Sequence, residues 1–389
     1  MRFDRLEPAA RKTIDVARIG TANLLQHKVR LLTALSGIAV AMFLLMLQYE
    51  SLTAVRERVS AFYNLFNFDI ALVPDTFQIL ISPGTLDRVR LAQARTLSGV
   101  ERTEGVTVSI GPWAKKLGEN GNSVLMIGLD NNPLFVRDPA VRRGMEKLTD
   151  GSSVLFDDLA QADMRPFGVG TTGTLAGTEV KIAGLFDLGL FFYAAGGVIA
   201  PSDMFARLSG RTSGRITLGF LQVAPGADVA KVQAELKEVL PHDVQVLTHD
   251  ELVAQEQAYF VETKPIGIMM DVGMLIACLV AVTIMIQVLA TDIGNRMNEY
   301  AVLKAMGFGP FFVYGIGVMQ SAILGVVGLL PAVAVSAVVL GIIQERTHLQ
   351  SGLDLRLSGM ALGITLGTAV LASAVVLWRL QRADPAALY

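Results

Sequence analysis

Four long stretches of this chain carry no charged residue, and they limit its fold more than any other feature. Crossing a hydrocarbon core of about 30 Å takes about 20 helical residues. Runs near that length occupy residues 31–49, 272–291, about 311–343 and 357–378. Composition agrees: the 389 residues are 52% hydrophobic and 17% charged, with a mean hydropathy of +0.49, well above soluble proteins. Residues 51–265 have ordinary charge, many glycines and no comparable run. A region of that size buries a core of its own.

About thirty mostly polar residues precede the first run, which exceeds the core of a cleaved signal and reads as a retained anchor. Orientation follows from basic residues near the span ends. Arg11, Lys12, Arg18, Lys28 and Arg30 precede span one, Arg296 and Lys304 follow span two, and Arg379 and Arg382 follow span four. Alternating spans put all three groups in the cytoplasm, against Arg346 and Arg356 in the opposite loop. The expected fold class is an α-helical membrane protein with four transmembrane helices and a large α+β periplasmic domain inserted between helices 1 and 2. Its expected segments are a cytoplasmic amphipathic stretch (1–30), span one (31–50), the periplasmic domain with stalk helices (51–265) and span two (266–291). A cytoplasmic loop (292–310), span three (311–343), a short periplasmic loop (344–356), span four (357–378) and a cytoplasmic tail (379–389) follow. Both termini are then cytoplasmic, in the inner membrane of a Gram-negative cell.

Small residues recur at four-residue spacing in two spans: Gly317, Ser321 and Gly325 in span three, Gly359, Gly363 and Gly367 in span four. Such faces let helix backbones approach closely, against this chain or a second copy. Span three, at about 1.5 Å per residue, exceeds the core and must tilt, kink near Pro331 or project. Before span one, Ile14, Ala17, Thr21, Leu24 and Leu25 share a helical face, interrupted by Val16 and Ile19. A surface-lying amphipathic helix and a plain lead-in both fit. Cys278 is the lone cysteine, so no intrachain disulfide supports the outer domain.

Within that domain, 123–129, 178–186 and 214–223 read as strands, and 84–97 and 227–240 as helices. The latter spaces Val229, Val232, Leu236 and Leu240 helically. Residues 51–62 and 251–263 look helical and would extend spans one and two as a stalk. Signs of catalysis are weak. "GVGTTG" at 168–173 matches a dinucleotide motif, but a strand-like segment follows where a helix N-terminus is required, so a hairpin is favoured. No P-loop exists, and His27, His242, His249 and His348 fall in no metal-ligand spacing. "THDEL" at 248–252 reads as a capped helix start, and Asp271 as interfacial.

A charged run, "NEYAVLKAMGFGP" (298–310), separates spans two and three. Residues 292–306 can form a helix pairing Arg296 with Glu299, ended by Gly307 and Pro310. Helix connectors in bundles usually need only about 2–8 residues. An ordered cytoplasmic helix here is a handle for a soluble partner.

The stretch "QVLATDIGNRMNEYAVLKAMGF" resembles the loop of DevC-type permeases, members of the MacB/FtsX superfamily of ABC transporter permeases. The resemblance extends to "LLQHKVRLLTALSGIAVAMFLLMLQ", "LFDLGLFFYAAGGVIAPSDMF", "LPHDVQVLTHDELVAQEQAYFVETKPIG" and the terminal "RADPAALY". It implies the non-catalytic permease subunit of a tripartite exporter. Two copies, a homodimer, would bind two cytoplasmic ABC ATPase subunits that hold ATP and Mg, and this chain would bind no cofactor. A periplasmic membrane-fusion adaptor would link it to an outer-membrane channel, with no nucleic-acid partner. The coupling helix would then use Arg296, Glu299, Tyr300, Leu303, Lys304, Ala305, Met306 and Gly307 against the ATPase. The DevC branch points to glycolipid or another amphiphile as cargo. An FtsX-like regulator of a periplasmic hydrolase and a lipoprotein-releasing permease share this layout. A membrane-anchored enzyme or receptor is the rival from another class, and the lack of a convergent acid, base or metal set argues against the enzyme.

Overall fold

The computed structural model describes residues 28–82, 84–130, 132–148, 150–165, 167–191, 193–212, 214–263, 265–295, 310–347 and 355–382. Expected features at 1–27 and 296–309 lie outside them.

The chain divides into two compact units. One holds residues 1–52, 268–344 and 351–389, and the other holds 53–267 with 345–350. Helix α1 runs from Lys28 to Asn64. After it come β1 (Ile70–Pro74), β2 (Leu86–Asp87), α2 (Val89–Ala94), β3 (Val100–Ala114), β4 (Asn122–Leu129) and α3 (Pro139–Met145). Next are β5 (Ser153–Asp157), β6 (Thr172–Leu175), β7 (Thr178–Phe186), β8 (Gly197–Pro201), α4 (Ser202–Ser209), β9 (Arg215–Ile216) and β10 (Leu218–Val223). The inserted domain ends with α5 (Val229–Val239), β11 (Val244–Thr248), α6 (His249–Ala258) and a π-helical turn, Tyr259–Thr263. Helices α7 (Pro265–Asn295), α8 (Pro310–Thr347) and α9 (Leu355–Arg382) complete the described chain.

Among the described residues, four helices are long and apolar enough to cross a membrane. They pack around Ile38, Met42 and Met46 of α1, Ala281 and Met285 of α7, Leu324 and Ala332 of α8, and Ala361, Ala369 and Ala372 of α9. Absent side chains permit the close approaches. A Cβ on Gly325 would lie 2.7 Å from the Thr365 side chain and 2.9 Å from Met285, and one on Gly328 would lie 2.7 Å from Ile38. Outward-facing Met269, Leu275, Leu330, Val338 and Leu371 are exposed. An outward apolar face is what a lipid-embedded bundle requires. Pro331 lies inside α8, whose 38 residues exceed the expected span. Asp271 is exposed on α7.

The inserted domain is built on a nine-stranded sheet in the order β11-β1-β10-β3-β4-β8-β5-β7-β6. Its first four strands pair antiparallel and form two interleaved βαβ units, β1-α2-β3 and β10-α5-β11. That is the ferredoxin-like split arrangement. Ile70, Leu72, Leu91, Val232, Leu236 and Val246 fill the layer between this sheet and its helices. The second half of β3 turns to pair with β4, and its end also pairs with β6. This extra pairing closes β3-β4-β8-β5-β7-β6 into a ring, filled by Trp113, Met126, Phe156, Ile182, Val198 and Phe205.

Strand β7 matches the expected 178–186, with the alternating burial of a half-buried strand. Strand β4 and helix α5 also match within two residues at each end. The expected helix at 84–97 shortens to Val89–Ala94, because Leu86 and Asp87 pair with β9 as strand β2. Arg215–Val223 splits into β9 and β10 at Thr217, whose hydroxyl accepts the Val108 N–H at 2.9 Å. "GVGTTG" runs from a turn into β6, with no helix after it. Thr248 and Glu251 form the capping box that starts α6.

Candidate functional site

Two helical stretches enter the inserted domain, the end of α1 and the segment of α6 with its π turn. Their polar bonds define the candidate site. Gln257 Nε2 donates to the Arg56 carbonyl and to Ser60 Oγ, each at 3.0 Å, tying the two stretches together. One turn deeper, the Tyr63 hydroxyl donates to Glu256 Oε2. Glu256 Oε1 accepts the Leu80 N–H at 2.9 Å. Glu256 is only 2% exposed. Desolvation pushes its carboxyl up to about 7, and the bonds from Tyr63 and Leu80 oppose the shift. Desolvation, then the Glu256 charge, raises the Tyr63 phenol above its ordinary range.

Aromatic rings carry the junction into the sheet. Phe62 meets Phe66 edge-on at 5.3 Å, and Phe66 meets Phe220 at 5.1 Å. Phe220 is the centre of β10 and stacks on Phe68 at 4.0 Å, and Phe68 reaches His249 at the start of α6 at 4.9 Å. Ring pairs of this kind add about 0.5–1.5 kcal/mol each beyond their buried area. Both stretches are therefore anchored on one central strand.

A separate clasp holds the ring of strands. Arg58 Nη1 donates to the Leu188 carbonyl at 3.0 Å. The fully buried Asp157 accepts backbone N–H groups from Leu159, Leu188, Gly189 and Gly197 at 3.1, 3.0, 2.8 and 3.3 Å. Desolvation raises the Asp157 carboxyl, and these four bonds resist the rise. Burial lowers the pKa of Arg58, while Asp157, then Glu57, favour its charge. Gly189 has φ +85, and a Cβ there would lie 2.3 Å from Arg58 Nη1. Only glycine fits that crossing.

The sequence-predicted residues fall elsewhere. Arg296, Glu299, Tyr300, Leu303, Lys304, Ala305, Met306 and Gly307 lie outside the described residues. Ser321 is buried and accepts the Ser373 hydroxyl at 3.0 Å, and Gly325 packs on Thr365 and Met285. Gly317 lies in α8. Gly359, Gly363 and Gly367 are exposed on α9 with nothing within 4 Å of where a Cβ would stand. Among the described residues, no group of three or more His, Cys, Asp or Glu could hold a metal.

The profile of the MacB-like periplasmic core domain matches residues 31–239, more than half of the chain. That of the FtsX-like permease C-terminal region matches 272–382. The chain belongs to the MacB/FtsX superfamily of permeases. The ordering of matches follows the fold, with the inserted domain between the first apolar helix and the remaining three. This family is one of ABC transporter permeases, generally non-catalytic integral membrane proteins that work with an ABC ATPase. Among solved structures, the periplasmic region of MacB from Actinobacillus actinomycetemcomitans is similar over 48% of this chain and 91% of its own, at 13% identity and a TM-score of 0.36. The extracellular domain of YknZ, a noncanonic ABC-type transporter from Gram-positive bacteria, is similar over 46% and 98%, at 11% identity and a TM-score of 0.33. No curated protein matches the chain.

The junction residues Arg58, Tyr63, Asp157, Gly189, Phe220 and Glu256 were not among those singled out from sequence. The two ends of the Tyr63–Glu256 bond lie 193 positions apart, so no local spacing exposes the pair. A single signal existed: a glycine at 189 followed by a long uncharged run before β8.

Proposed function

We propose that this superfamily permease is the membrane subunit of a DevC-type tripartite exporter in the inner membrane, with cytoplasmic termini and a periplasmic inserted domain. It acts as a homodimer with two ATPase subunits. ATP-driven closure moves the segment at 296–307, the apolar helices carry that motion, and the inserted domain passes an amphiphile such as a glycolipid to an adaptor and outer-membrane channel. The observation that carries this reading is the junction. Tyr63, Glu256 and the Phe62–Phe66–Phe220 rings leave little freedom between the incoming helical stretches and the central strand. Movement of either stretch must therefore be felt by the sheet, since packed interfaces respond by discrete rearrangement.

The chemistry of the apolar helices supports a transmitting role. A polar conduit needs polar lining, which is costly in lipid. Here Thr283 and Thr365 return their hydroxyls to the carbonyls of Leu279 and Ala361, both at 2.7 Å. The test is permease-stimulated ATP hydrolysis with the purified ATPase. Glu299→Lys and Gly307→Val should insert normally and lose the stimulation, and wild-type stimulation in both would reduce this segment to a connector. Orientation is checked separately: a cysteine at Asn120 should react with an impermeant thiol reagent in spheroplasts, and one at Asn298 should not.

A further inference from the structure

The inserted domain carries a second surface that this mechanism does not use. Three open depressions lie on it, with volumes of 520, 500 and 470 Å³. Arg88 and Asp130 line both the first and the third, and Arg211 lines both the first and the second. The three therefore form one continuous face. All its cations are arginines: Arg88, Arg95, Arg207, Arg211 and Arg215. Residues 53–267 as a whole contain twenty Lys and Arg against twenty-five Asp and Glu, a net charge of minus five. A basic face on an acidic domain is a local specialisation.

The charges on this face are unequally matched. Arg88 makes a two-pronged bond to Asp130 at 2.6 and 2.8 Å, and Ser202 also donates to Asp130 at 2.5 Å. Arg207 meets Asp203 at 3.4 Å, with both side chains well exposed. Exposed pairs of this kind hold their charges only weakly. Arg95, Arg211 and Arg215 form no ion pair among the described residues. Two of them are nevertheless held in place by neutral acceptors. Arg211 Nη1 donates to the Val108 carbonyl at 3.2 Å. Arg215 donates through Nε to Thr85 Oγ1 and through Nη2 to the Thr85 carbonyl, each at 2.7 Å. Neutral acceptors fix a guanidinium without cancelling its charge, and a side chain ordered beforehand loses less freedom on binding.

We propose that this face docks an acidic stretch of a partner protein, with Asp and Glu carboxylates seated on Arg95, Arg211 and Arg215. Arginine's planar fork matches carboxylates, and arginine is enriched at protein interfaces where lysine is depleted. A small-ligand site would be enclosed, whereas these depressions are open and carry the charged side chains of Arg88, Arg95, Arg211, Arg215 and Asp130 on their walls. The surrounding negative charge steers an acidic partner away from the rest of the domain and towards this face. The inference holds whether the partner is an adaptor or another soluble protein.

The test uses the full-length chain in zwitterionic nanodiscs, titrated with fluorescent deca-glutamate. Binding should be saturable and weaken with salt. Arg95→Glu/Arg211→Glu/Arg215→Glu should weaken it by more than about tenfold, as expected for loss of several charge-assisted contacts. Lys115→Glu/Lys116→Glu/Lys181→Glu reverses as many charges on exposed lysines outside the depressions and should leave it unchanged. The triple glutamine variant of the same arginines, which adds no repulsion and keeps side chains that can hydrogen-bond, should give an intermediate loss at an unaltered melting temperature. Equal weakening by both glutamate triples, or no saturable binding, overturns the proposal. Loss of binding to phosphatidylglycerol vesicles with deca-glutamate binding intact would assign the face to lipid instead.

Discussion

In the apolar helices Thr283, Thr291 and Thr365 each bond a carbonyl four residues earlier in their own helix. In the inserted domain, Arg58, Tyr63 and Asp157 reach partners 130, 193 and up to 40 residues away. The difference is in how far along the chain the polar bonds reach. The helices meet closely at Gly37, Gly325 and Gly328. Alongside the buried Ser373–Ser321 bond and the contacts of Thr365 and Ser336 with methionine sulfurs, the hydroxyls of Thr283, Thr291 and Thr365 return to carbonyls of their own helices. The inserted domain spends its buried polar groups on fixing where the incoming stretches attach.

The strongest way to break this contrast is to empty the clasp. Asp157→Ala leaves four buried N–H groups without their acceptor and removes the opposite charge that most favours the Arg58 guanidinium. The expected loss is about 3–5 kcal/mol, seen as a lower thermal midpoint and faster hydrogen exchange in β5 and β8. A loss under about 1 kcal/mol would mean that water or another donor set replaces the carboxylate.

Gly189→Ala comes next, since it forces a side chain into a left-handed backbone against Arg58. It should cost about 2–3 kcal/mol. Its counterpart in the helices, Gly363→Ala, meets open space in this chain and should change the stability of the monomer by no more than about 1 kcal/mol. If α9 packs on a second copy, the same substitution should instead lower the dimer fraction in cross-linking.

The smallest effect is a pH dependence confined to the inserted domain. Glu256 titrates near 4.5 when unfolded and near 7 when folded. Between those values the folded chain binds the extra proton, so stability falls as pH rises through this window and levels off above it. Glu104, pushed up to about 7 by desolvation and then by Asp130, adds with the same sign. Glu256→Gln should flatten part of the slope of melting temperature against pH, leaving the Glu104 part. An unchanged slope would remove Glu256 from the account.

The apolar spans and the α+β character of the insertion were legible because both depend on local composition: uncharged runs of the required length, and alternation such as that of 178–186. The helix expected at 84–97 was overestimated because pairing of Leu86 with Ile216 across the chain overrides helical propensity. Closure of the ring through Trp113 and Leu175 is a long-range pairing that no window of sequence contains. The same holds for the junction. Tyr63 and Glu256 look unremarkable alone, and their chemistry exists only after two distant helical stretches meet. The glycine stripes were visible as spacing, whereas the division between packed Gly325 and open Gly363 emerges from helix orientation.

The central claim is that the apolar helices transmit motion and do not conduct cargo. The direct measurement is export by the reconstituted assembly, comparing Gln287→Leu/Gln320→Leu with an Ala61→Cys disulfide that locks two copies together. The account predicts near-wild-type export for the leucine pair, and for the locked form a loss of export while ATP still binds. Loss of export in the leucine pair, with assembly and ATP hydrolysis intact, would contradict it and favour a path through the membrane helices.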